Sequence, residues 1–414
     1  YGAGTIMHRA QAWKDIIESI EVVDPYTLVI HQKKQTPELQ IYFFYDSFYA
    51  PALSKKYIET VGYDQAGQLP IGSGPYRLVE HRRGDYLKYE AFDEHWRVVP
   101  EFKYLVIRIV PEESTAIAML KTGEIDATQI APSSVPEISQ EKFNIAQWPG
   151  GAYGYMAFGG KVLPEDEKYV EGYHNQDPWV DVRVREAMNI AIDRDAINKA
   201  LEAGTAITMP IGCYIPGIDE LEPIPYDPER AKQLLTEAGY PDGFSFDFIN
   251  FPRQPGAPML PKEVEAIAGY WEAVGISPKI VPTEDLAWIP VIKKQETAGT
   301  MWAMRHTYTA DFTTKLHLYG PNGPWSVWQD AEMTRLIAEV KAEMDWEKRK
   351  PIWREMAKYQ RDNYITVPIF MIPQLMVSDK QKVGEWPSYW SGIYFNFEYI
   401  RHAEPLNTLR LFTP

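Results

Sequence analysis

Cysteine is nearly absent from this sequence. Cys213 is the only one among 414 residues, which excludes an internal disulfide, a zinc site built on thiolates and a CxxC redox pair. We expect Cys213 to be a small buried apolar residue. The sequence also lacks an apolar run long enough to span a bilayer, and its first residues carry neither an initiator methionine nor the basic and apolar regions of a secretory signal.

Positive charge is scarce as well. The chain has 42 Lys and Arg against 57 Asp and Glu, a net charge of −15. A nucleic-acid-binding protein needs a basic face to replace phosphate counterions, so this composition argues against DNA or RNA as partners. The eight histidines are scattered, with no HExxH motif and no tight His/Cys cluster, so we predict no metal site and no cofactor.

The patterns that are present indicate an α/β protein of more than one domain. The length exceeds what one hydrophobic core usually serves. Ile16, Ile17 and Ile20 stand at helical spacing, and the run after them predicts a hairpin that turns at Asp24 and Pro25. The segment 227–239 predicts a helix with Asp227 as N-cap and Gly239 at its C-terminal end. Strands that alternate with helices through the second half predict a largely parallel, doubly wound sheet.

Five segments, taken in order, are more specific than this outline. They read GSGPYRLVEHRRGDYLKYEAFDEHW, AIAMLKTGEIDA, VRVREAMNIAIDRDAI, YDPERAKQLLTEAGYPDGF and EMDWEKRKPIWREMAKYQRDNYITVPIF. Together they resemble the extracellular solute-binding proteins of family 5, the oligopeptide, dipeptide and nickel group that serves ABC transporters. The resemblance covers roughly the whole chain, but the family's usual opening portion is not found, so we expect a chain that lacks its N-terminal part.

The resemblance implies a fold and a domain plan. The fold is the α/β two-lobed periplasmic-binding-protein fold, the Venus flytrap of the large peptide-binding subclass, with strands that act as hinges. Residues 1–50 are expected to be the remainder of an extra subdomain and the start of lobe I, and 51–150 the body of lobe I. Residues 151–375 are expected to form lobe II, and 376–414 to return to lobe I.

The resemblance also implies a function. We expect the substrate-binding component of an ABC importer, a non-enzymatic monomer that captures a di- or oligopeptide between its lobes and delivers it to the permease subunits. Its expected location is the periplasm or the cell exterior, with or without a lipid anchor at the outer face of the cell membrane. Closure around the ligand shifts an equilibrium between open and closed forms, so the ligand has to favour the closed one.

One loop carries the candidate ligand-binding residues. In peptide-binding members of the family, an Asp in an R-x-x-W-x-A-D-Y pattern pairs with the ligand's α-ammonium group. The matching stretch here begins at Arg305 and reaches Asp311, with Tyr308 where Trp is usual and Phe312 where Tyr is usual. The match makes Asp311 the anchor of the ammonium group, through a charge-assisted hydrogen bond, and Arg305 a fork for a carboxylate. A loop cap for Asp311 and a surface ion pair for Arg305 are the competing interpretations.

Aromatic residues offer walls for the same pocket, because ligand pockets are largely apolar with few polar anchors. Trp302, Trp325 and Trp328 flank the loop, and Tyr45 is a candidate from lobe I, within an aromatic segment that also holds Phe44 and Phe48. For each of them, packing in a hydrophobic core is the competing interpretation.

Other functions stay open at this point. An oligosaccharide binder of the same fold suits the many Trp and Tyr residues and the altered residues after Asp311, and some family members bind a metal through a carried chelator. A peptide or glycan hydrolase is the alternative from another class. It needs a nucleophile with a base or two carboxylates across a cleft, and no GxSxG or Cys/His signature is present.

Overall fold

The computed structural model describes residues 16–33, 37, 53–160, 177–252, 259–294, 296–307, 316, 318–319, 328–386 and 397–403. The chain divides into two compact units. Unit 1 consists of Tyr1–Tyr49 and Gly150–Ile372, and unit 2 of Ala50–Pro149 and Pro373–Pro414. The assignment of these stretches to lobes I and II stays a prediction.

The described helices and strands alternate through most of the chain. The helices are α1 (Lys55–Gln68), α2 (Glu113–Thr122), α3 (Val182–Ile190), α4 (Arg194–Leu201), α5 (Pro228–Glu237), α6 (Leu260–Glu272), α7 (Asp285–Lys294), α8 (Ala331–Ala342) and α9 (Trp346–Asp362). The strands are β1 (Ile17–Asp24), β2 (Thr27–Gln32), β3 (Tyr76–Arg82), β4 (Tyr86–Ala91), β5 (Tyr104–Arg108), β6 (Ala127–Ile130), β7 (Phe143–Phe158), β8 (Ile207–Thr208), β9 (Ser245–Asn250), β10 (Ser277–Pro282), β11 (Thr300–Thr307), β12 (Val367–Asp379), β13 (Val383–Glu385) and β14 (Arg401–His402). None of the described helices meets the length and hydropathy that a membrane crossing requires.

The sheet of unit 1 places β10, β9, β11, β7 and β12 side by side in that order. Strands β9, β10 and β11 are parallel, and α6 forms the crossover from β9 to β10. Strand β7 runs antiparallel to β11, and β12 runs antiparallel to the short strand β8. The prediction of a largely parallel sheet is therefore right for β9 to β11 and wrong for the rest. Parallel neighbours need a crossover connection such as the helix α6 between β9 and β10. Strands β7 and β12 are instead long strands whose residues are divided between the two units.

The two faces of this sheet bury separate hydrophobic cores, because successive side chains of a strand point to opposite faces. The first core includes Phe248 of β9 and Trp271 of α6. The second core includes Tyr155 of β7, Trp302 of β11 and Trp353 of α9. A buried indole has a polar N–H to satisfy, and the Nε1 of Trp271 does so by donating to the carbonyl of Met188 at 2.8 Å.

The turn before β9 requires glycine at position 243. Gly243 has a φ of +71°, and a Cβ atom there would lie 1.8 Å from the carbonyl oxygen of Gly275. Gly239, four residues earlier, also has a left-handed φ of +92°, but nothing lies within 4 Å of its Cβ position. Both glycines relieve backbone strain, and only Gly243 also makes room for a second chain segment.

Unit 2 contains an antiparallel sheet of three strands in the order β3, β4, β5. Helix α2 ends at Gly123, whose φ of 77° lets its N–H reach back to the last carbonyls of the helix. The core beside it includes Leu120 of α2, Ile130 of β6 and Val377 at the distal end of β12. In this unit β6 pairs antiparallel with that end of β12.

The local predictions have mixed outcomes. The hairpin of β1 and β2 and its turn after Asp24 are confirmed, as is the helix α5, which Asp227 caps by accepting from the backbone N–H of Arg230. The helical interpretation of Ile17 and Ile20 is wrong, because both lie in β1, paired with β2. β-branched side chains favour strands once a partner strand is available, and that partner is not visible in the local spacing.

Candidate functional site

The carboxyl ends of three parallel strands meet at one edge of the unit 1 sheet. Asn250 of β9 pairs with Pro282 of β10, and Ile249 of β9 pairs with Trp302 of β11, which ends at Thr307. In α/β sheets, ligands bind outside the carboxyl ends of the strands. We call this edge the carboxyl edge and take it as the candidate functional site.

Strand β11 brings Arg305 and His306 to this edge on opposite faces of the sheet. Its residues Trp302 and Met304 lie in the second core, whereas Met301 and Ala303 lie in the first. By this alternation Arg305 belongs to the face of the first core and His306 to the face of the second. The two side chains therefore lie on opposite sides of the sheet, next to different cores, although they are neighbours in the sequence.

Arg305 is half-buried and pairs with none of the described residues. Burial lowers the pKa of its guanidinium below the ordinary value, and no hydrogen bond or ion pair to it occurs within the described part of the chain. Gly154 of β7 lies opposite it in register, where a Cβ atom would be 3.4 Å from Leu260 at the start of α6. A partly desolvated guanidinium without a partner is costly, and a carboxylate ligand would offset that cost through a bidentate pair.

Asn250 lies on the same face of the neighbouring strand. It follows Phe246 and Phe248, which belong to the first core, at the two-residue spacing of one strand face. Its Nδ2 donates to the carbonyl of Pro261 at 3.2 Å, which ties the end of β9 to the first turn of α6. Its Oδ1 is buried and accepts no hydrogen bond in the described structure. An Asn acceptor and an Arg cation on the same sheet face, neither of which is paired with a described residue, suit a ligand that carries both a carboxylate and an N–H group.

Two tyrosines of β7 contact the His306 ring. Its Nε2 lies 3.1 Å from the hydroxyl oxygen of Tyr155, and the two rings stack with centroids 5.8 Å apart. The ring of Tyr153 is 5.9 Å from the imidazole. Complete burial raises the pKa of Tyr155 well above its ordinary value, so this hydroxyl stays protonated at neutral pH. The arrangement fixes the end of β11 from the side opposite Arg305.

Cys213 belongs to the same buried layer. It is fully buried, as predicted. The hydroxyl of Tyr319 lies 3.6 Å from its Sγ, and that thiol lies 3.6 Å from the Oε1 of Gln360 on α9. The thiol therefore links Tyr319 to a helix of the second core.

Asp330 connects Trp328, α8 and α9. Its Oδ2 accepts hydrogen bonds from the Trp328 indole and from the Tyr359 hydroxyl, each at 2.6 Å, and its Oδ1 caps α8 by accepting from the backbone N–H of Met333 at 2.7 Å. Burial, followed by the hydrogen bond to Asp330, raises the pKa of Tyr359. The Arg185 guanidinium lies 4.4 Å above the Trp328 ring, and burial lowers its pKa to about 10.

The predicted pocket residues fall into two groups. Trp302 and Trp328 are described, and both side chains lie in the second core, with 1% and 3% of their surface exposed. Four others lie outside the described residues: Tyr45, Tyr308, Asp311 and Trp325. The aromatic residues Phe44 and Phe48 also lie there. The ligand contacts assigned to all of these residues stay predictions.

The sequence analysis missed Asn250 and Asp330. Asn250 had no motif, since only the pairing of β9 with β11 places it on the same sheet face as Arg305. Asp330 had a local signal, an Asp directly before a helix, which marks an N-cap. No group of three or more His, Cys, Asp or Glu side chains suited to a metal ion occurs within the described ranges.

A protein-family model matches this chain over residues 2–325, and its description is "Bacterial extracellular solute-binding proteins, family 5 Middle". The chain belongs to this family. The match confirms the resemblance seen in the sequence motifs.

Within family 5, the dipeptide-binding protein of Escherichia coli is 29% identical over 337 residues, 76% of this chain and 59% of that protein. The glutathione-binding protein GsiB of Salmonella paratyphi A is 32% identical over 246 residues, 58% of this chain and 44% of that protein. The chain thus spans about half the length of these curated relatives.

A solved structure supports the fold. The structure of HbpA2 from Haemophilus parasuis matches with a TM-score of 0.76 and 22% sequence identity, over 95% of this chain and 76% of that chain. Identity at this level shows the fold alone. The mixed α/β elements and this likeness confirm the predicted class, the two-lobed fold of the family 5 binding proteins.

Proposed function

We propose that the chain is the ligand-capturing part of an ABC importer's binding protein, and that its ligand is a di- or oligopeptide. The observation that carries the proposal is the half-buried guanidinium of Arg305 at the carboxyl edge, which no residue in the described part of the chain pairs with. A carboxylate of the ligand pairs with Arg305, and Asn250 accepts from a ligand N–H. Asp311, six residues after Arg305, binds the α-ammonium group. The two relatives named above, which are binding proteins for dipeptide and for glutathione, support a ligand of this class.

The proposal extends to the setting of the protein. The stretches 51–150 and 376–414 form lobe I, and 151–375 form lobe II, with 1–50 as the remainder of the extra subdomain and the start of lobe I. The protein works as a monomer outside the cytoplasm and passes its ligand to permease subunits. It catalyses no reaction and binds no nucleic acid. Turnover of a bound peptide or glycan by the pure protein would overturn this part.

The test measures whether the effect of ligand charge on affinity depends on the Arg305 side chain. Isothermal titration compares a dipeptide that has free ends with its C-terminal amide and its N-acetyl form. A hydrogen bond to a charged group contributes about 1.5–3 kcal/mol, so we expect the amide to bind about 10-fold to 100-fold more weakly than the free acid. In Arg305→Gln the free acid and the amide should bind alike, and in Asp311→Asn the free and acetylated forms should bind alike.

Arg83→Gln is the matched control, because Arg83 is an exposed arginine in the β3–β4 turn. It should keep the full preference for the free acid. Equal affinity of the wild-type chain for acid and amide would overturn the role of Arg305. Binding of oligosaccharides or of nickel chelates, with no binding of peptides, would replace the peptide proposal with one of the two alternatives of the same fold.

A further inference from the structure

Two glutamates that the candidate functional site does not use are buried side by side in unit 1. Glu202 directly follows α4, and Glu263 lies in the first turn of α6, which packs against α4. Each has 1% of its surface exposed. The two carboxyl groups are close enough for one to hydrogen-bond the other. Glutamate is almost never fully buried unless something pairs with it, so the pair needs a physical explanation.

No cation or hydrogen-bond donor of the described chain compensates these carboxyl groups. Both oxygens of Glu202 and the Oε1 of Glu263 are buried, and no described residue outside the pair donates a hydrogen bond to them. Lys199 of α4 and Lys262 of α6 are exposed. The buried Arg194 of α4 directs its guanidinium to the backbone carbonyls of Pro368 and Asn189 and to the Asn189 side chain. The remaining charged residues of these two helices, Asp195, Glu265 and Glu272, are exposed as well.

Two ionised carboxylates are not compatible with a buried contact between the carboxyl groups of Glu202 and Glu263. An ionised carboxylate only accepts hydrogen bonds, so a bond between two carboxyl groups requires a proton on at least one of them. Two buried like charges in contact would also repel each other and lose their hydration. We propose that Glu202 and Glu263 form a buried proton-binding site, which holds at least one shared proton in the folded protein at neutral pH and links the stability of unit 1 to pH.

The direction of the linkage follows from the environment of each group. Burial raises the pKa of Glu202 from 4.5 to about 7. Burial, followed by the charge of Glu202, raises the pKa of Glu263 well above 4.5. The N-terminus of α6 opposes this shift, because a helix dipole stabilises an anion there, but desolvation dominates for a side chain this buried. Above about pH 4.5 the folded state therefore keeps protons that the unfolded state has lost. The stability contribution is complete below that pH and is lost as the pH rises through the folded-state values.

The test compares Glu263→Gln with the wild-type chain in urea unfolding at pH values from about 5 to about 8. The glutamine amide donates to Glu202 without needing a proton, so the variant should lose much of the pH dependence. The unfolding equilibrium constant of the wild type should rise relative to that of the variant by up to about tenfold per pH unit. Glu265→Gln is the control, since Glu265 is an exposed residue of the same helix, and its pH profile should match that of the wild type. Parallel profiles for the wild type and Glu263→Gln would overturn the proposal.

A second measurement does not depend on whether the variants fold well. The wild-type chain with ¹³C-labelled glutamate should show the infrared carbonyl band of a protonated carboxylic acid at about pH 7, where exposed glutamates are ionised. Absence of that band would overturn the proposal. Stabilisation of the wild type by Mg²⁺ or Ca²⁺ that disappears in Glu263→Gln would overturn it too, in favour of a cation site.

Discussion

Replacing Gly243 with alanine is expected to lower the free energy of unfolding by about 4 kcal/mol. The left-handed φ of +71° costs an alanine about 1–2 kcal/mol. The added Cβ would lie 1.8 Å from the carbonyl oxygen of Gly275, so the two backbone segments have to separate. Overpacking of this kind costs about 1–3 kcal/mol or more. Urea unfolding of the variant and the wild type measures the difference.

Gly239→Ala separates the cost of backbone strain from the cost of steric overlap. Gly239 has a φ of +92°, so alanine is strained there as well, but nothing lies within 4 Å of the added carbon. We expect a loss of only about 1–2 kcal/mol. If both variants lose the same stability, then the close approach of Gly243 and Gly275 contributes nothing, and backbone strain explains the whole effect.

Asp330→Ala is expected to cost about 3–5 kcal/mol, which is more than the loss of a helix cap. The cap on α8 contributes about 1 kcal/mol. The substitution also removes the acceptor for the buried Trp328 indole and for the half-buried Tyr359 hydroxyl. A buried donor left unpaired costs about 1–3 kcal/mol, and the loss of the second hydrogen bond costs about 0.5–1.5 kcal/mol. Chemical unfolding gives the loss, and the fluorescence of the tryptophans reports whether the surroundings of Trp328 change before global unfolding.

The matched variant is Asp227→Ala at the cap of α5. Asp227 accepts from the backbone N–H of Arg230 as Asp330 does from that of Met333, but it holds no buried side chain. This variant should lose about 1 kcal/mol. Equal losses in the two variants would show that the bonds to Trp328 and Tyr359 add no stability. A peptide titration of Asp330→Ala in addition tests whether the contacts of Asp330 with Trp328 and Tyr359 affect ligand binding.

Local signals predicted the elements whose causes are local. Asp227, Pro228 and Gly239 mark the ends of α5 because caps act within one turn of a helix. Strand β1 was misread because its isoleucines fit two periods, and only its pairing with β2 decides between them. The antiparallel β7 had no local signal either, since strand direction depends on which distant segments pair with it.

The residues of the candidate site also divide into those with a local signal and those that depend on contacts between distant segments. The family motif placed Arg305 in a ligand-binding loop, whereas it lies in strand β11, opposite Gly154 of β7. Its half-burial depends on tertiary packing, which the motif does not encode. Asn250 shares its sheet face only because β9 pairs with β11. The acid pair of Glu202 and Glu263 had no signal in the sequence, because 60 positions separate two ordinary glutamates that α4 and α6 bring together. Spacing within a segment does not encode contacts between segments.

The order of the strands also has a consequence for synthesis on the ribosome. Strand β7 ends at Phe158, but its neighbours in the sheet are β11 and β12, which end at Thr307 and Asp379. About 150 further residues have to be made before β11 is available, roughly 7–30 s at about 5–20 residues per second. During that interval the apolar β7 lacks both partners, and unpaired apolar strands are prone to aggregate. The nascent chain is therefore exposed to misassembly while residues 159–307 are being made, and slower elongation in this stretch would prolong its dependence on chaperones.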